Sequence, residues 1–212
     1  EELPRPAAPG LYRMLEELTG RAGLQRTPRI YLLPVEMVNA ATLDHEDYPI
    51  ILITRPAIRY LSERELRAIL AHEVAHVSNR DLVLLQLTQV VQMITQSIAQ
   101  VAWIMLILFF PILFMQGGVF PFYLLVLLFV APLASILLQL AFSKSREYNA
   151  DLAAIALTED PEGLASALEK IDRIHSFMTD MIFPFSPKRR ESSIFRSHPH
   201  IERRVEKLRS LD

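Results

Sequence analysis

One long stretch of the sequence carries no charged side chain. Between Leu82 and Ser143 there is no Asp, Glu, Lys, Arg or His. A helix needs about 20 apolar residues to cross a hydrocarbon core of about 30 Å, and residues 98–115 and 119–142 each come close to or exceed that length. Gln116-Gly117-Gly118 connects the two. The stretch therefore predicts a transmembrane helical hairpin; the alternative, a buried helix pair in a soluble protein, needs more surrounding chain than remains.

The charges that flank the hairpin predict its orientation. Arg80 precedes the first span, Lys144 and Arg146 follow the second, and the connection between the spans is uncharged. Basic residues favour the cytoplasmic side of a membrane. We therefore expect the polar parts of the chain to face the cytoplasm and only the turn to lie outside.

The rest of the chain has the composition of one globular domain. The 212 residues are 51% hydrophobic and carry a net charge of −2, which allows an ample core and gives no sign of nucleic-acid binding. Helical periodicity covers residues 11–23 and 161–178. Short strands are predicted at 29–33 and 50–54, separated by a polar connection. The pattern indicates a mainly α (α+β) fold with a small β-sheet edge and an inserted membrane hairpin.

A histidine pair lies just before the hairpin, in His72-Glu73-Val74-Ala75-His76. Residues at i and i+4 share one face of a helix, so both imidazoles can reach one metal ion, with Glu73 beside it to accept a proton from a bound water. Ser62 and Glu65 have the spacing of a capping box, which predicts that the helix begins there. Alone, the pattern is as compatible with an ordinary amphipathic helix as with a metal-dependent hydrolase.

Two histidines do not complete a metal site, because catalytic zinc takes three protein ligands and a water. The chain has no cysteine, so the third ligand must be His, Asp or Glu. Glu147 and Asp151 are the best candidates, since they share one face of a predicted helix. One carboxylate would bind the metal and the other would hold a ligand histidine by its free N–H. The alternative is a pair of ordinary surface acids.

A stripe of glutamines occupies the start of the uncharged stretch, at Gln86, Gln89, Gln92, Gln96 and Gln100. The stripe could line a groove through which substrate approaches the metal. It could also pack helices together through polar contacts, as membrane helices commonly do, and this second interpretation is favoured.

Several ordered motifs together resemble the HtpX family of membrane zinc peptidases, relatives of the CAAX prenyl proteases. The resemblance extends from about residue 11 to the end of the chain. It is carried by the segments His72-Glu73-Val74-Ala75-His76, Asn79-Arg80-Asp81, Ser145-Arg146-Glu147-Tyr148-Asn149-Ala150-Asp151 and His198-Pro199, and by Arg204.

The resemblance implies a zincin-like fold with one Zn²⁺ per chain, bound by His72, His76 and Glu147. It also implies that Glu73 acts as the general base and that Asp151 supports a ligand histidine. His198 and Arg204 match family positions near the active site, where they would stabilise the oxyanion or the substrate. Asn39 and Ala40 correspond to the family's substrate-binding strand.

The function implied by the resemblance is endoproteolysis of damaged or misfolded membrane proteins. The expected partners are polypeptide substrates and the lipid bilayer, with no nucleic acid. The enzyme is expected in the inner or plasma membrane, with its site facing the cytoplasm. Residues 1–212 would then form a single metallopeptidase domain, interrupted by the hairpin at about 82–143. A CAAX-type prenyl-protein protease and a non-catalytic, chaperone-like membrane module are the alternatives.

The sequence departs from the family pattern in three places. The two membrane segments that precede the family's catalytic domain are not seen ahead of residue 11, so we expect the chain to be part of a longer protein. The family's Asn-Ala-Phe-Ala motif appears as Asn39-Ala40-Ala41-Thr42, and His200 replaces a common proline. The last two departures concern substrate preference. Oligomeric state does not follow from the sequence.

Overall fold

The computed structural model describes residues 1–43, 48–79, 81–115, 122–182 and 201–210. The chain divides into two compact units, one formed by Glu1–Leu82 with Glu147–Asp212 and the other by Val83–Arg146. Its elements are α1 (Pro9–Arg21), β1 (Arg29–Leu33), β2 (Ala40–Leu43), β3 (Ile50–Thr54), α2 (Arg55–Tyr60), α3 (Glu63–Ser78), α4 (Asp81–Met115), α5 (Phe122–Thr158), α6 (Pro161–Ile182) and α7 (Ile201–Arg209). The predicted mainly α fold with a small sheet is confirmed.

The sheet has three strands in the order β1-β3-β2. β1 and β3 run parallel, whereas β2 lies antiparallel to β3, with Thr42 opposite Ile51. The sequence predicted β1 and β3 but treated the segment between them as a polar connection. This was wrong for residues 40–43, because a four-residue strand of small side chains is specified mainly by its pairing with β3 rather than by its own pattern. Among the strands of the described residues, β2 lies at an edge of the sheet.

Helix α3 runs through the core of the first unit. It packs against α1, β2 and α6, and nearly all of its residues from Glu65 to His76 are buried. Leu70 and Val74 are fully buried there, together with Leu15 and Leu18 of α1. A helix that is buried on nearly every side carries its polar residues into the protein interior. His72, Glu73 and His76 therefore lie where polar groups need partners.

The start of α3 has the predicted capping box. The Ser62 hydroxyl accepts a hydrogen bond from the Glu65 backbone N–H, and the Ser62 N–H donates to Glu65 Oε2 at 2.8 Å. The same carboxylate also accepts hydrogen bonds from Ser166 and Lys170 of α6, both at 2.8 Å. Burial favours the neutral acid, but these bonds outweigh it and lower the pKa of Glu65 to about 2. Glu65 thus ties the first turn of α3 to α6.

The second unit holds the uncharged part of the chain. Within the described residues, Val83–Ile112 is long and apolar enough to cross a membrane, and only 6% of its most apolar window is buried. So low a burial is unlike a soluble core helix. The second predicted span, 119–142, begins among residues outside the described ranges, as does the Gln-Gly-Gly turn, and its membrane assignment stays a prediction. Four of the five glutamines, Gln89, Gln92, Gln96 and Gln100, line an open cleft of about 330 Å³.

The charge on Glu65 is expected to stabilise the fold above its ordinary pKa of 4.5 and to lose this effect as the pH falls toward 2. Glu65→Gln should therefore lower the Tm by about 2–6 °C at neutral pH, and the difference from the wild type should shrink between pH 4.5 and 2. Thermal unfolding in detergent across this pH range measures it. Glu63→Gln, at an exposed site in the same turn, is the control. If the Tm difference between Glu65→Gln and the wild type does not change with pH, the lowered pKa of Glu65 does not contribute to stability.

Candidate metal centre

Three side chains from two distant segments converge inside the first unit. His72 and His76 come from α3 and Glu147 comes from α5, and all three are buried. The Nε2 atoms of the two histidines lie 3.1 Å apart. Glu147 Oε2 lies 3.5 Å from His72 Nε2, and Glu147 Oε1 lies 3.8 Å from His76 Nε2. The structure thus brings together the three residues predicted as metal ligands.

A carboxylate lies behind each histidine. Asp151 Oδ1 is 3.1 Å from His72 Nδ1, and Asp81 Oδ2 is 2.6 Å from His76 Nδ1. A carboxylate accepts a hydrogen bond from the ring nitrogen that faces it, so each Nδ1 keeps the hydrogen of the neutral ring and each Nε2 presents a lone pair. Asp151 was predicted in this role. Asp81 was not assigned one, because its position depends on the turn from α3 into α4.

The donor set fits a metal ion of the zinc type. Two lone pairs that point at each other across 3.1 Å repel unless a cation lies between them. Two ligands bound to one tetrahedral zinc at about 2.0–2.1 Å are about 3.3–3.4 Å apart, close to the separations among these three residues. Two imidazoles and one carboxylate are also a known catalytic zinc set. His72, His76 and Glu147 are therefore suited to hold such an ion.

Arg204 connects the acids on α5. Its Nε and Nη2 donate to the two oxygens of Asp151 at 2.7 and 2.6 Å, and its Nη1 donates to Glu147 Oε2 at 3.3 Å. The side chain is only 2% exposed. A bidentate guanidinium fixes the orientation of a carboxylate as well as balancing its charge. Arg204 thus positions both Glu147, a predicted ligand, and Asp151, which faces His72, and its predicted action on the oxyanion stays a prediction.

The buried charges shift one another's protonation. Burial disfavours the charged ring of His72, but the neighbouring Asp151 and Glu147 outweigh it and raise the pKa of His72 to about 9. Burial and the nearby His72 lower the pKa of His76. For Asp151, burial favours the neutral acid, yet hydrogen bonds with His72 and Arg204 hold its pKa below the usual value. The acids around the histidine pair thus favour positive charge at this position.

Glu73, the predicted base, has a partner that the sequence did not indicate. Thr42 of β2 donates a hydrogen bond from its hydroxyl to Glu73 Oε2 at 2.6 Å. The same hydroxyl lies 3.2 Å from the backbone carbonyl oxygen of Glu73. Glu73 and Thr42 are both buried. Strand β2 and helix α3 are thereby joined at the predicted base, Glu73.

A small cavity of about 50 Å³ opens beside the base. His72, Glu73 and Arg204 line one part of it, and the predicted substrate residues Asn39 and Ala40 line another. His175 of α6 also lines it, and its Nε2 lies 2.7 Å from the backbone carbonyl of Val38, close enough for a hydrogen bond. His175 received no functional role from the sequence, since only the contact of α6 with Val38, in the segment before β2, brings it here. The predicted catalytic residue His198 lies outside the described residues, as does His200.

Comparison with known proteins agrees with this arrangement. A family model described as Peptidase family M48 matches residues 7–212. The chain is 34% identical to a "Protease HtpX homolog" of Desulforapulum autotrophicum, over 98% of this chain and 71% of that protein. It is 35% identical to a protein of the same name from Syntrophobacter fumaroxidans, over 100% of this chain and 79% of that protein. A third, from Ralstonia nicotianae, is 33% identical over 98% and 76%.

The carboxylate behind His76 is expected to strengthen metal binding. Asp81→Asn removes its charge, and outer partners of this kind contribute about 10–100-fold to affinity. We expect zinc affinity, measured by competition with a chromogenic chelator, to fall by about that factor. Glu17→Gln, an exposed acid on α1, is the control. Equal affinities of Asp81→Asn and the wild type would show that Asp81 does not support the ligand.

The two roles of Arg204 predict different outcomes for Arg204→Met. If Arg204 chiefly positions Asp151 and Glu147, its loss leaves buried charges unpaired, and the free energy of unfolding should fall by about 3–5 kcal/mol together with metal affinity. We expect this result from denaturant unfolding and metal titration. If Arg204 acts only on the oxyanion, stability and metal content would be unchanged while kcat falls. Arg203→Met, at an exposed position on the same helix, is the matched control.

Proposed function

Because the chain belongs to peptidase family M48 and is an HtpX-type protease, we propose that it is a zinc-dependent, membrane-anchored endopeptidase. The proposal is supported above all by the convergence of His72, His76 and Glu147 within the reach of one ion. The adjacent Glu73 supplies a carboxylate where a water would be activated. The burial of all four side chains keeps bulk water from weakening these electrostatic interactions.

The proposed chemistry needs an ion that His72, His76 and Glu147 would hold. When bound, zinc polarises the scissile carbonyl and makes a water nucleophilic near neutral pH. Glu73 accepts a proton from the attacking water and passes it to the nitrogen of the leaving amine. Asp81 and Asp151 keep the two imidazoles oriented during this exchange. Arg204 maintains the direction of Asp151 and of the Glu147 carboxylate.

His198 and Arg204 remain candidates for stabilising the oxyanion. Arg204 lines the same cavity as Glu73, where a substrate carbonyl would have to bind. A preorganised donor at that position lowers the barrier, because it meets the negative charge as it develops. The substitution of Arg204 described above separates this role from positioning, and His198→Ala would test its own contribution through kcat.

The substrate is proposed to bind along β2. β2 pairs with β3 on one side, and in the described part of the chain no other strand pairs with its opposite side. An extended peptide can add to such an edge through backbone hydrogen bonds, which gives affinity with little side-chain preference. Asn39 and Ala40 lie at the beginning of this strand and line the cavity next to Glu73. Such binding suits a protease of damaged or misfolded polypeptides.

The location of the enzyme is proposed from the uncharged part of the chain. The segment Val83–Ile112 supports insertion into a lipid bilayer. The positive residues Lys144 and Arg146 favour a cytoplasmic site in an inner or plasma membrane. Misfolded membrane proteins would then be natural substrates, since they share the bilayer with the enzyme.

Glu73→Gln should retain the metal but lose peptide cleavage, because glutamine cannot accept the proton of the water. We expect kcat on casein to fall by at least about 10²–10⁴-fold in detergent-solubilised protein. Zinc content should stay at one ion per chain. An active Glu73→Gln protein, free of contaminating protease, would contradict the mechanism.

Chelation provides the companion test of the metal. Wild-type cleavage should stop with a chelator and return with added zinc. A protein that binds zinc but never cleaves casein would instead support the non-catalytic chaperone-like alternative. Cleavage restricted to prenylated peptides would support the CAAX-type alternative.

A further inference from the structure

A hydrogen bond joins Thr42 of β2 to Glu73 of α3. Thr42 is the one buried residue of β2, whose other three residues are partly or largely exposed. It lies on the strand proposed to receive substrate, and its side chain ends on the carboxylate proposed to act as the base. A threonine whose hydroxyl formed a hydrogen bond within its own strand or helix would not require the Glu73 carboxylate as an acceptor.

The Thr42 hydroxyl forms a hydrogen bond with only one of the two carboxylate oxygens of Glu73. A hydroxyl has one proton to donate, and the 2.6 Å distance to Glu73 Oε2 is much shorter than the 3.2 Å distance to the backbone carbonyl. The proton therefore belongs to the bond with Oε2. A hydrogen bond between a hydroxyl and a carboxylate is short and strong, and it fixes the side chain in one rotamer. The other oxygen, Oε1, takes no part in this hydrogen bond.

We propose that Thr42 is a positioning residue for the hydrolytic reaction: it holds Glu73 so that one defined oxygen exchanges the proton of the attacking water. This inference rests on the proposed function. It also deepens that function, because the strand that would bind the substrate also orients the base. Proton transfer requires heavy atoms within hydrogen-bond reach, and small displacements of a catalytic group reduce rates steeply.

Thr42→Val tests the hydroxyl while keeping the branched shape of the side chain. We expect kcat to fall by about 10–100-fold, with KM within about two-fold and one zinc per chain retained. Thr42→Ser restores a hydroxyl and should recover most of kcat. Thr19→Val is the matched control, since Thr19 is also buried and donates a hydrogen bond, to Leu15 in α1, away from the site. Its kcat should equal that of the wild type.

A second measurement does not depend on cleavage. In the full-length, zinc-loaded protein, Thr42→Val should lower the Tm by about 3–10 °C, as expected for losing a hydrogen bond to a charged group. In a Glu73→Ala background the same substitution should lower it by less than half as much, because the hydroxyl has already lost the charged carboxylate and keeps only the neutral backbone carbonyl of residue 73 at 3.2 Å. Equal decreases in the two backgrounds would overturn the proposed contact.

The outcomes separate this inference from the proposed function. An unchanged kcat in Thr42→Val, or a failure of Thr42→Ser to recover activity that Thr42→Val has lost, overturns the positioning role. If Thr42→Val does not accumulate, Thr42→Ala compared with Thr42→Ser asks the same question of the hydroxyl. A wild type without any proteolysis would overturn the proposed function, whereas the Tm cycle would still decide whether Thr42 and Glu73 are coupled.

Discussion

The arrangement of this protein depends on a charge imbalance in its interior. Four carboxylates, those of Glu73, Asp81, Glu147 and Asp151, are buried around the histidine pair. Among the described residues, Arg204 is the one buried arginine or lysine. Uncompensated buried charges are very costly, so the site needs further positive charge. A divalent cation bound by the imidazoles would supply it, and the same acids, Asp151 and Glu147, raise the pKa of His72.

The same imbalance explains why distant parts of the chain are held together. The histidines lie before the uncharged stretch, Glu147 and Asp151 lie after it, and Arg204 belongs to the last helix. Each contributes a charge that is unfavourable without the others. Contacts away from the site also stabilise this assembly. Helix α6 packs against both α3 and α7, and Glu65 of α3 forms hydrogen bonds with α6. Metal binding and folding of the first unit should therefore be strongly linked.

The sequence predicted those parts of the site that depend on local periodicity. His72 and His76, and likewise Glu147 and Asp151, are one helical turn apart, and the capping box of α3 is a pattern within four residues. It did not predict Thr42, His175 or the role of Asp81. These side chains reach the site through the pairing of β2 with β3, the packing of α6 and the turn into α4, and none of these leaves a short-range periodic signal. The strand β2 was missed for the same reason.

The open edge of β2 has a consequence for how such an enzyme would choose what to cut. If a substrate must add to this edge as an extended strand, a correctly folded protein is protected, because its own strands and helices already satisfy its backbone. A chain becomes available only when part of it has lost those partners. Selectivity for damaged proteins would then depend on the conformation of the substrate rather than on a set of specificity pockets. Local unfolding of the substrate would itself make it cleavable.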